Sequence, residues 1–277
     1  MELPCAEIRS KEIDMNFKNI TALVVMIGFV CCGYSVFASV GRDKIRIMSY
    51  NVHHCEGADK KVDYERVANV LKRENPDFVG LQELDFKTAR TEGIDQPKKL
   101  ASLIAMHVTC AKAIDLQGGS YGVAILSREK PISVIRKPLP GGEPRVLLLC
   151  EFADCWVGTT HLALTEDNRL KAAQIIRSEI ADKQGEKPIF MTGDWNARPN
   201  SPTLTEFRKF MKILSSENLG TYSSFINDPA KSECCIDYIA VDNRSAKNFS
   251  VSKTYVIADI VTSDHCPIVT VVEKIRK

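Results

Sequence analysis

Apolar residues alternate with polar ones, or form short unbroken runs, at intervals along most of the chain. Alternation and short apolar runs are typical of β-strands that are buried on one face or on both. The predicted strands cover residues 45–51, 78–83, 121–127, 132–137, 146–152, 155–160, 188–191, 236–241, 251–257 and 267–272. Residues 146–152 and 155–160 are separated only by Ala153 and Asp154, which indicates a hairpin.

A second pattern, with apolar residues three and four positions apart, predicts helices over residues 62–74, 97–106, 166–183 and 201–213. The third of these places Leu170, Ala173, Ile176 and Ile180 on one face. Predicted strands occur both in hairpins and in alternation with helices. The pattern therefore favours a mixed, layered α/β domain over a purely parallel sheet.

The N-terminus has the pattern of a targeting segment. An apolar run over residues 20–30 follows Lys18, and Val36-Phe37-Ala38 fits signal-peptidase cleavage after Ala38. The run is short for a membrane span. We expect residues 1–38 to be an N-terminal extension with a signal peptide, residues 39–277 to form one domain, and the protein to be exported to a periplasmic, secreted or extracytoplasmic-surface location. A retained anchor, which would give membrane contact through this segment alone, is the alternative.

The composition limits the possible function classes but does not identify a substrate. The chain has 37 Lys and Arg against 35 Asp and Glu, a net charge of +2 that is too mild to indicate a nucleic-acid binder by itself. Removing residues 1–38 takes away three basic and four acidic residues, which leaves 34 against 31 and a net charge of +3. Seven of the ten cysteines then remain, an odd number, and no Cys-x-x-Cys pair occurs. At least one thiol is thus free or paired between chains, and a structural zinc site is not expected.

Polar side chains fall at the ends of many predicted strands, where sites in open sheets are built. They are Asn51, Glu83, His161, Asp194, Asn196, Asp237, Asp264 and His265. Asp194 and Asn196 lie two positions apart, so both side chains point to one side of an extended chain. Taken alone, this pair is also typical of a turn.

The residue types in this set suit one chemistry. The carboxylates of Glu83 and Asp264 suit a hard divalent cation such as Mg²⁺. Asn and His side chains donate to phosphate oxygens, and Asp237 is suited to orient the ring of His265. The set would support metal-assisted attack of water on a phosphate ester.

Seven short motifs carry a resemblance. They are Ser49-Tyr50-Asn51, Leu81-Gln82-Glu83, Tyr121-Gly122-Val123-Ala124-Ile125-Leu126-Ser127, Thr159-Thr160-His161-Leu162, Gly193-Asp194-Trp195-Asn196, Ile236-Asp237-Tyr238-Ile239 and Ser263-Asp264-His265-Cys266-Pro267. In this order, over about residues 45 to 272, the chain resembles the endonuclease/exonuclease/phosphatase family, which includes deoxyribonuclease I-like enzymes.

The resemblance implies a four-layer α/β/β/α sandwich with two mixed, mainly antiparallel sheets, and a catalytic domain over residues 39–277. It also implies an Mg²⁺ or Mn²⁺ ion held chiefly by Glu83, with Asn51 and Asp264 close by. The remaining roles that it implies are water and phosphate orientation by Asp194 and Asn196, phosphate or leaving-group contact by His161, a dyad of Asp237 and His265, and a phosphate contact by Tyr121. Whether Asp194 or His265 takes the proton of the water stays open.

Two arginines are candidates on other grounds. Arg90 follows the predicted strand of Glu83 by seven residues, and Arg145 opens a strand after Gly141-Gly142. A guanidinium group offers a planar fork to a phosphate. A plain ion pair is the alternative for each.

These observations lead to an exported, divalent-metal-dependent phosphoester hydrolase, a phosphodiesterase that acts on nucleic acid or a small phosphodiester. The alternatives are a phospholipid or sugar-phosphate hydrolase and a non-catalytic phosphate-binding module. A lipid enzyme should expose an apolar hairpin, but residues 242–250 are polar apart from Phe249. We expect a monomer without an obligate protein partner.

Overall fold

The structure is a computed structural model that describes residues 42–183, 185, 187–223 and 234–275. The chain divides into two units, Met1–Val40 and Gly41–Lys277, and the fold below is that of the second. The predicted signal segment lies outside the described residues. Within the described ranges, no helix has both the length and the apolar content needed to cross a membrane.

Twelve strands form two sheets of six among the described residues. Their bounds are β1 Lys44–Asn51, β2 Phe78–Phe86, β3 His107–Leu116, β4 Gly119–Ser127, β5 Ser133–Leu139, β6 Arg145–Glu151, β7 Trp156–His161, β8 Ile189–Asp194, β9 Met211–Ile213, β10 Asp237–Asp242, β11 Phe249–Val256 and β12 Ile268–Lys274. The strand orders are β11-β12-β1-β2-β4-β3 and β5-β6-β7-β8-β10-β9. Each sheet has one parallel pair, β1 with β2 and β7 with β8, and its other pairs are antiparallel.

The helices connect or flank the parallel pairs. They are α1 Tyr64–Glu74, α2 Gln96–Ile104, α3 Glu166–Asp182 and α4 Pro202–Arg208. Short 3-10 turns occur at His53–Cys55, Ala89–Thr91 and Ala246–Asn248. The start of α1 is capped by Asp63, which accepts a hydrogen bond from the backbone N–H of Arg66, and the helix ends at Asn75 in the left-handed conformation.

Three apolar clusters make four layers. The central cluster joins the facing sides of the two sheets through residues such as Ile47, Ile125, Val157 and Ile239. A second packs α3 and α4 on the outer face of one sheet, and a third packs α1 and α2 on the outer face of the other. The order of layers is therefore helix, sheet, sheet, helix, as the resemblance implies.

Two segments differ from the predicted elements in type. The helix predicted over residues 201–213 ends at Arg208, and Met211–Ile213 forms β9 at the edge of its sheet. The strand His107–Leu116 was not predicted, because it is an edge strand whose residues are mostly half-buried and show no clear alternation. Tertiary packing determines both segments more than local pattern does.

Candidate active site

The strand ends of both sheets converge on one rim. Asn51 is the last residue of β1, His161 of β7 and Asp194 of β8, and Asp237 is the first residue of β10. Across the second sheet, Asp194 lies directly between His161 on one neighbouring strand and Asp237 on the other. The topology thus brings together side chains that are distant in sequence.

The turn after β8 is held tightly. A Cβ atom on Gly193 would lie 2.2 Å from the backbone oxygen of Thr160, so only glycine allows this approach of the two strands. Trp195 is fully buried and stacks on Phe207 with ring centroids 4.1 Å apart. Asn196 adopts a φ of 48° and donates its backbone N–H to Asp194 Oδ1 at 2.9 Å. The turn therefore fixes the orientation of the Asp194 carboxylate.

Glu83 lies on a distortion within β2. Its φ is 59°, and the register of β2 against β4 shifts between Leu81 and Leu84. The expectation that Glu83 ends its strand is wrong, since β2 continues to Phe86. A bulge of this kind re-aims a side chain, and here it directs Glu83 to the rim instead of the core.

Asn51 is the centre of the hydrogen-bond network. Its amide nitrogen donates to Glu83 Oε1 at 2.8 Å and to Asp194 Oδ2 at 3.1 Å, while its amide oxygen accepts from the backbone N–H of His53 at 3.1 Å. The nitrogen, and not the oxygen, faces the two carboxylates. Asn51 therefore orients Glu83 and Asp194 in this arrangement.

His265 and Asp237 form a buried pair. The ring Nδ1 of His265 lies 2.9 Å from Asp237 Oδ2, and its Nε2 lies 3.5 Å from Asp194 Oδ2. Burial opposes a charged imidazole, but the carboxylates of Asp237 and Asp194 outweigh it and raise the pKa of His265 to about 10. Burial, followed by the charge of Asp237, raises the pKa of Asp194 to about 7. Thr221 Oγ1 accepts the backbone N–H of Asp237 at 3.1 Å and holds the strand start in place.

His161 has the opposite environment. Its Nε2 lies 3.5 Å from Asp194 Oδ2, and its Nδ1 lies 3.4 Å from Arg145 Nη1. Burial, and then the charge of Arg145, hold the pKa of His161 well below its usual range. Because a guanidinium group only donates, Nδ1 accepts and the ring proton belongs on Nε2. The neutral ring of His161 therefore presents an N–H donor toward Asp194.

The donor set fits a divalent cation. The carboxylates of Glu83 and Asp194 each place an oxygen within 4.8 Å of the other, and both accept hydrogen bonds from the amide nitrogen of Asn51. Two carboxylates held this close repel each other unless a cation or a proton lies between them. Oxygen ligands of this kind are those that Mg²⁺ and Mn²⁺ prefer. Glu83 is well placed to hold such an ion.

Three further residues that the sequence analysis names, Tyr121, Arg90 and Arg145, are each buried or already paired. Tyr121 is 8% exposed, and burial raises its pKa strongly. The guanidinium of Arg90 makes two hydrogen bonds to Asp85, at 2.7 and 2.8 Å, so Asp85 already occupies the fork expected to meet phosphate. Arg145 pairs with Glu143 at 2.7 Å besides its contact with His161.

Asp264 is half-buried and accepts from Ser263 Oγ at 3.4 Å. Among the described residues it is absent from the three groups of side chains close enough together to share a metal ion. Asn196 donates its side-chain nitrogen to the backbone oxygen of Leu162 at 2.9 Å. The site therefore brings together Asn51, Glu83, His161, Asp194, Asp237 and His265, with Asp264 and Asn196 at its margin.

Sequence reasoning gave little weight to His53 and His54, which form a close group with Glu83. They lie two and three positions after Asn51, so their place just beyond a site strand was an available signal. Sequence reasoning also missed Thr221 and Asp85. Thr221 acts through its hydrogen bond with the backbone of Asp237, and Asp85 acts through a bidentate ion pair with Arg90.

All seven cysteines of the domain are free thiols, and five of them are buried.

Comparison with protein families matches residues 48–265 to the endonuclease/exonuclease/phosphatase family. No curated protein sequence matches the chain. Solved structures with a similar fold include an endonuclease/exonuclease/phosphatase from Beutenbergia cavernae, with a TM-score of 0.68, 21% identity and coverage of 84% of this chain and 72% of the other.

Two further structures have named activities or ligands. A mannosyl-6-phosphatase from Bacteroides thetaiotaomicron has a TM-score of 0.68 and 17% identity over 84% of this chain and 100% of its own. TDP2 from D. rerio, complexed with a single-strand DNA product, has a TM-score of 0.63 and 17% identity over 84% of this chain and 100% of its own. At these identities the likeness is one of fold.

Proposed function

The chain belongs to the endonuclease/exonuclease/phosphatase family, whose members are metal-dependent phosphoester hydrolases, and from this premise we propose that it is an exported phosphodiesterase acting on nucleic acid or a small phosphodiester. One observation carries the proposal: two histidines, one paired with a carboxylate and one with an arginine, flank Asp194 beside Glu83. A single site thus holds a cation ligand, a proton acceptor and two phosphate-facing donors.

We assign the roles from these contacts. Glu83 would hold the divalent cation, Mg²⁺ or Mn²⁺, and Asn51 orients the carboxylates of Glu83 and Asp194 by donating to both. Bound there, the cation would supply charge neutralisation for a phosphate ester and a lowered pKa for a water molecule. Asp264 lies farther out and is a candidate for contacts through water.

Asp194 orients the attacking water and accepts its proton. Its Oδ2 lies 3.5 Å from both His161 Nε2 and His265 Nε2, so either ring stabilises the ionised carboxylate. The Asp237–His265 pair keeps Nε2 of His265 directed into the site, where it donates to a phosphate oxygen. His161, with its proton on Nε2, donates to phosphate or to the leaving oxygen, and Tyr121 and Asn196 are the remaining candidates for a phosphate contact.

One observation counts against a lipid substrate. Phe249, the only aromatic side chain in residues 242–250, is 9% exposed and packs edge-to-face on Phe190. It is not available to enter a bilayer. A DNA product is bound by the fold relative TDP2, which keeps nucleic acid among the candidates.

A sugar-phosphate substrate is the second candidate, and one observation favours it. A cavity of about 200 Å³ lies beside Glu83 and is lined by polar groups that include His53, His54 and Glu143. A cavity of this size accepts a small polar group more readily than a duplex. The mannosyl-6-phosphatase with the same fold is consistent with this alternative.

The test is a substrate panel. Purified protein is incubated with plasmid DNA, single-stranded DNA, bis-p-nitrophenyl phosphate, p-nitrophenyl phosphate, a sugar phosphate and sphingomyelin, each with Mg²⁺, Mn²⁺ or EDTA. We expect metal-dependent cleavage of nucleic acid or the simple diester, with loss of activity in His265→Ala. Cleavage of monoesters alone would replace the diester proposal with the sugar-phosphate one, and no cleavage of any ester would overturn both.

Export is proposed from the apolar run over residues 20–30 and the cleavage pattern ending at Ala38. N-terminal sequencing of protein recovered from outside the cytoplasm tests it. We expect a mature chain that begins at Ser39. An uncleaved chain in the membrane fraction would show that the segment acts as an anchor instead.

A further inference from the structure

We propose that His53, His54 and Glu83 form a second cation site that takes an imidazole-preferring transition metal such as Zn²⁺. Each of the three residues offers one ligand atom, and these atoms lie within 4.8 Å of one another. The two rings are 4.6 Å apart between centroids and are inclined by 61°. This inference concerns cation binding and does not depend on which phosphoester is the substrate.

The backbone brings two consecutive histidines to one side. Adjacent residues in a regular strand point to opposite faces, so a continued β1 would separate the two rings. Instead, His53 and His54 adopt φ values of 45° and 42°, and Cys55 follows with 63°. Three successive residues other than glycine in the left-handed region are unfavourable, and such conformations cluster at binding sites.

The surroundings hold this turn in its unusual conformation. The backbone N–H of Cys55 donates to the oxygen of Val52 at 2.7 Å, and Gln96 donates its side-chain nitrogen to the oxygen of His54 at 2.6 Å. His54 itself is 9% exposed. The position of its ring is therefore set before any ligand arrives, which lowers the cost of binding one.

The cavity beside these residues is open and electrostatically suitable. It measures about 200 Å³ and is lined by the two histidines, Glu83, Arg90 and Glu143, with Tyr121 and two aliphatic side chains. The positive charge of Arg90 is already matched by its two hydrogen bonds to buried Asp85. Glu56 adds a carboxylate 3.6 Å from His54 Nε2. A cation in this cavity thus meets carboxylates and an arginine that is already paired.

The ligand types separate this site from the one at Asp194. Two imidazoles and one carboxylate suit zinc and its neighbours, whereas Mg²⁺ prefers oxygen ligands. Three protein ligands would leave a coordination position open, as in zinc sites that bind a further group. Glu83 is common to both groups of residues, so binding at one site should change affinity at the other.

Isothermal titration of the metal-stripped, reduced protein with ZnCl₂ tests the proposal. The variants are His53→Ala, His54→Ala and, as the matched control, His107→Ala, which changes an exposed histidine on β3. We expect one zinc ion per chain, at least tenfold weaker binding in each of the first two variants, and no change in the control. Equal zinc affinity in wild type, His53→Ala and His54→Ala would overturn the proposal.

A second readout keeps the test valid if His54→Ala fails to fold. His53 is only half-buried, so we expect His53→Ala to fold. The Co²⁺ absorption spectra of the wild type and of this variant are compared, and a change in the spectrum reports loss of an imidazole ligand. An unchanged spectrum would count against the site. Hydrolysis by the wild type with Mg²⁺ alone is measured separately, so failure of the proposed function and failure of the zinc site give different results.

Discussion

Asp194 and Asp237 lie directly opposite each other on adjacent antiparallel strands, with both side chains buried. Like charges in this position destabilise a sheet unless another group offsets them. His265 offsets them here, since its ring lies 2.9 Å from one carboxylate and 3.5 Å from the other. The contacts that orient the His265 ring thus also offset the repulsion between the two aspartates.

The first prediction concerns this pair. Asp237→Asn removes the charge that orients the His265 ring while keeping the shape of the side chain. Because a preorganised donor aimed at a transition-state oxygen contributes about 10²- to 10³-fold, we expect kcat to fall by roughly that factor with little change in KM. Steady-state kinetics on the best substrate of the panel checks it, with a thermal melt to confirm folding. An unchanged kcat would exclude a role for Asp237 in orienting His265.

The second prediction concerns the cation at Glu83. Mn²⁺ or Mg²⁺ should raise the melting temperature of the wild type, because a ligand at 100 times its Kd stabilises the folded state by about 2.7 kcal/mol. Glu83→Gln keeps the length of the side chain but removes the carboxylate, and we expect it to abolish most of this shift.

Thermal melts with and without EDTA measure both proteins, and Glu92→Gln, which changes an exposed carboxylate on the nearby loop, is the control. If Glu83→Gln responded to the metal like the wild type, Glu83 would not be the principal ligand.

The third prediction concerns the support beneath the rim. Asp85 is fully buried, and its carboxylate accepts both hydrogen bonds of Arg90 and one from Thr88. Asp85→Asn leaves the guanidinium poorly paired, and we expect the free energy of unfolding to drop by about 1–3 kcal/mol. Urea unfolding measures it. Asp115→Asn, at an exposed ion pair with Lys112, should change stability far less, and equal losses in the two variants would contradict the argument.

The fourth prediction concerns alkaline pH. Burial, and then the hydrogen bond to Glu74, raise the pKa of Tyr255 to about 12. A folded-state pKa above the unfolded value means that this contribution to stability is complete below pH 10 and is lost as the pH rises toward 12. Urea unfolding across this range should show a decline that is shallower in Tyr255→Phe. Parallel curves for the two proteins would refute the assignment.

Much of the fold and most of the site could be predicted from the sequence, because alternation and strand-end polar residues are local signals. Asn51, His161, Asp194, Asp237 and His265 follow or begin short apolar runs, and the strands that carry them meet at one rim. These side chains come together once the two sheets pack face to face, so no further contact had to be predicted.

Other features depend on contacts that no local pattern records. The bulge at Glu83 arises in the pairing of β2 with β4, which resumes at Leu84 and carries the strand on to Phe86. Arg90 forms an ion pair with Asp85, five residues away along the chain. The sequence alone is compatible with this ion pair and with a phosphate contact, because the choice depends on where the two side chains lie. The strand β9 forms because an edge of β10 was available for Met211–Ile213.

The pairing of the first strand with the last has a consequence for biosynthesis. Asn51 on β1 contacts His265, which is 214 residues later, and β1 pairs with β12. A chain emerging from the ribosome makes β1 early but holds no complete site until residues near its C-terminus have been synthesised. Hydrolytic activity therefore requires synthesis through β12, and truncation just before β12 should leave an inactive product whose first strand pairs with β2 alone.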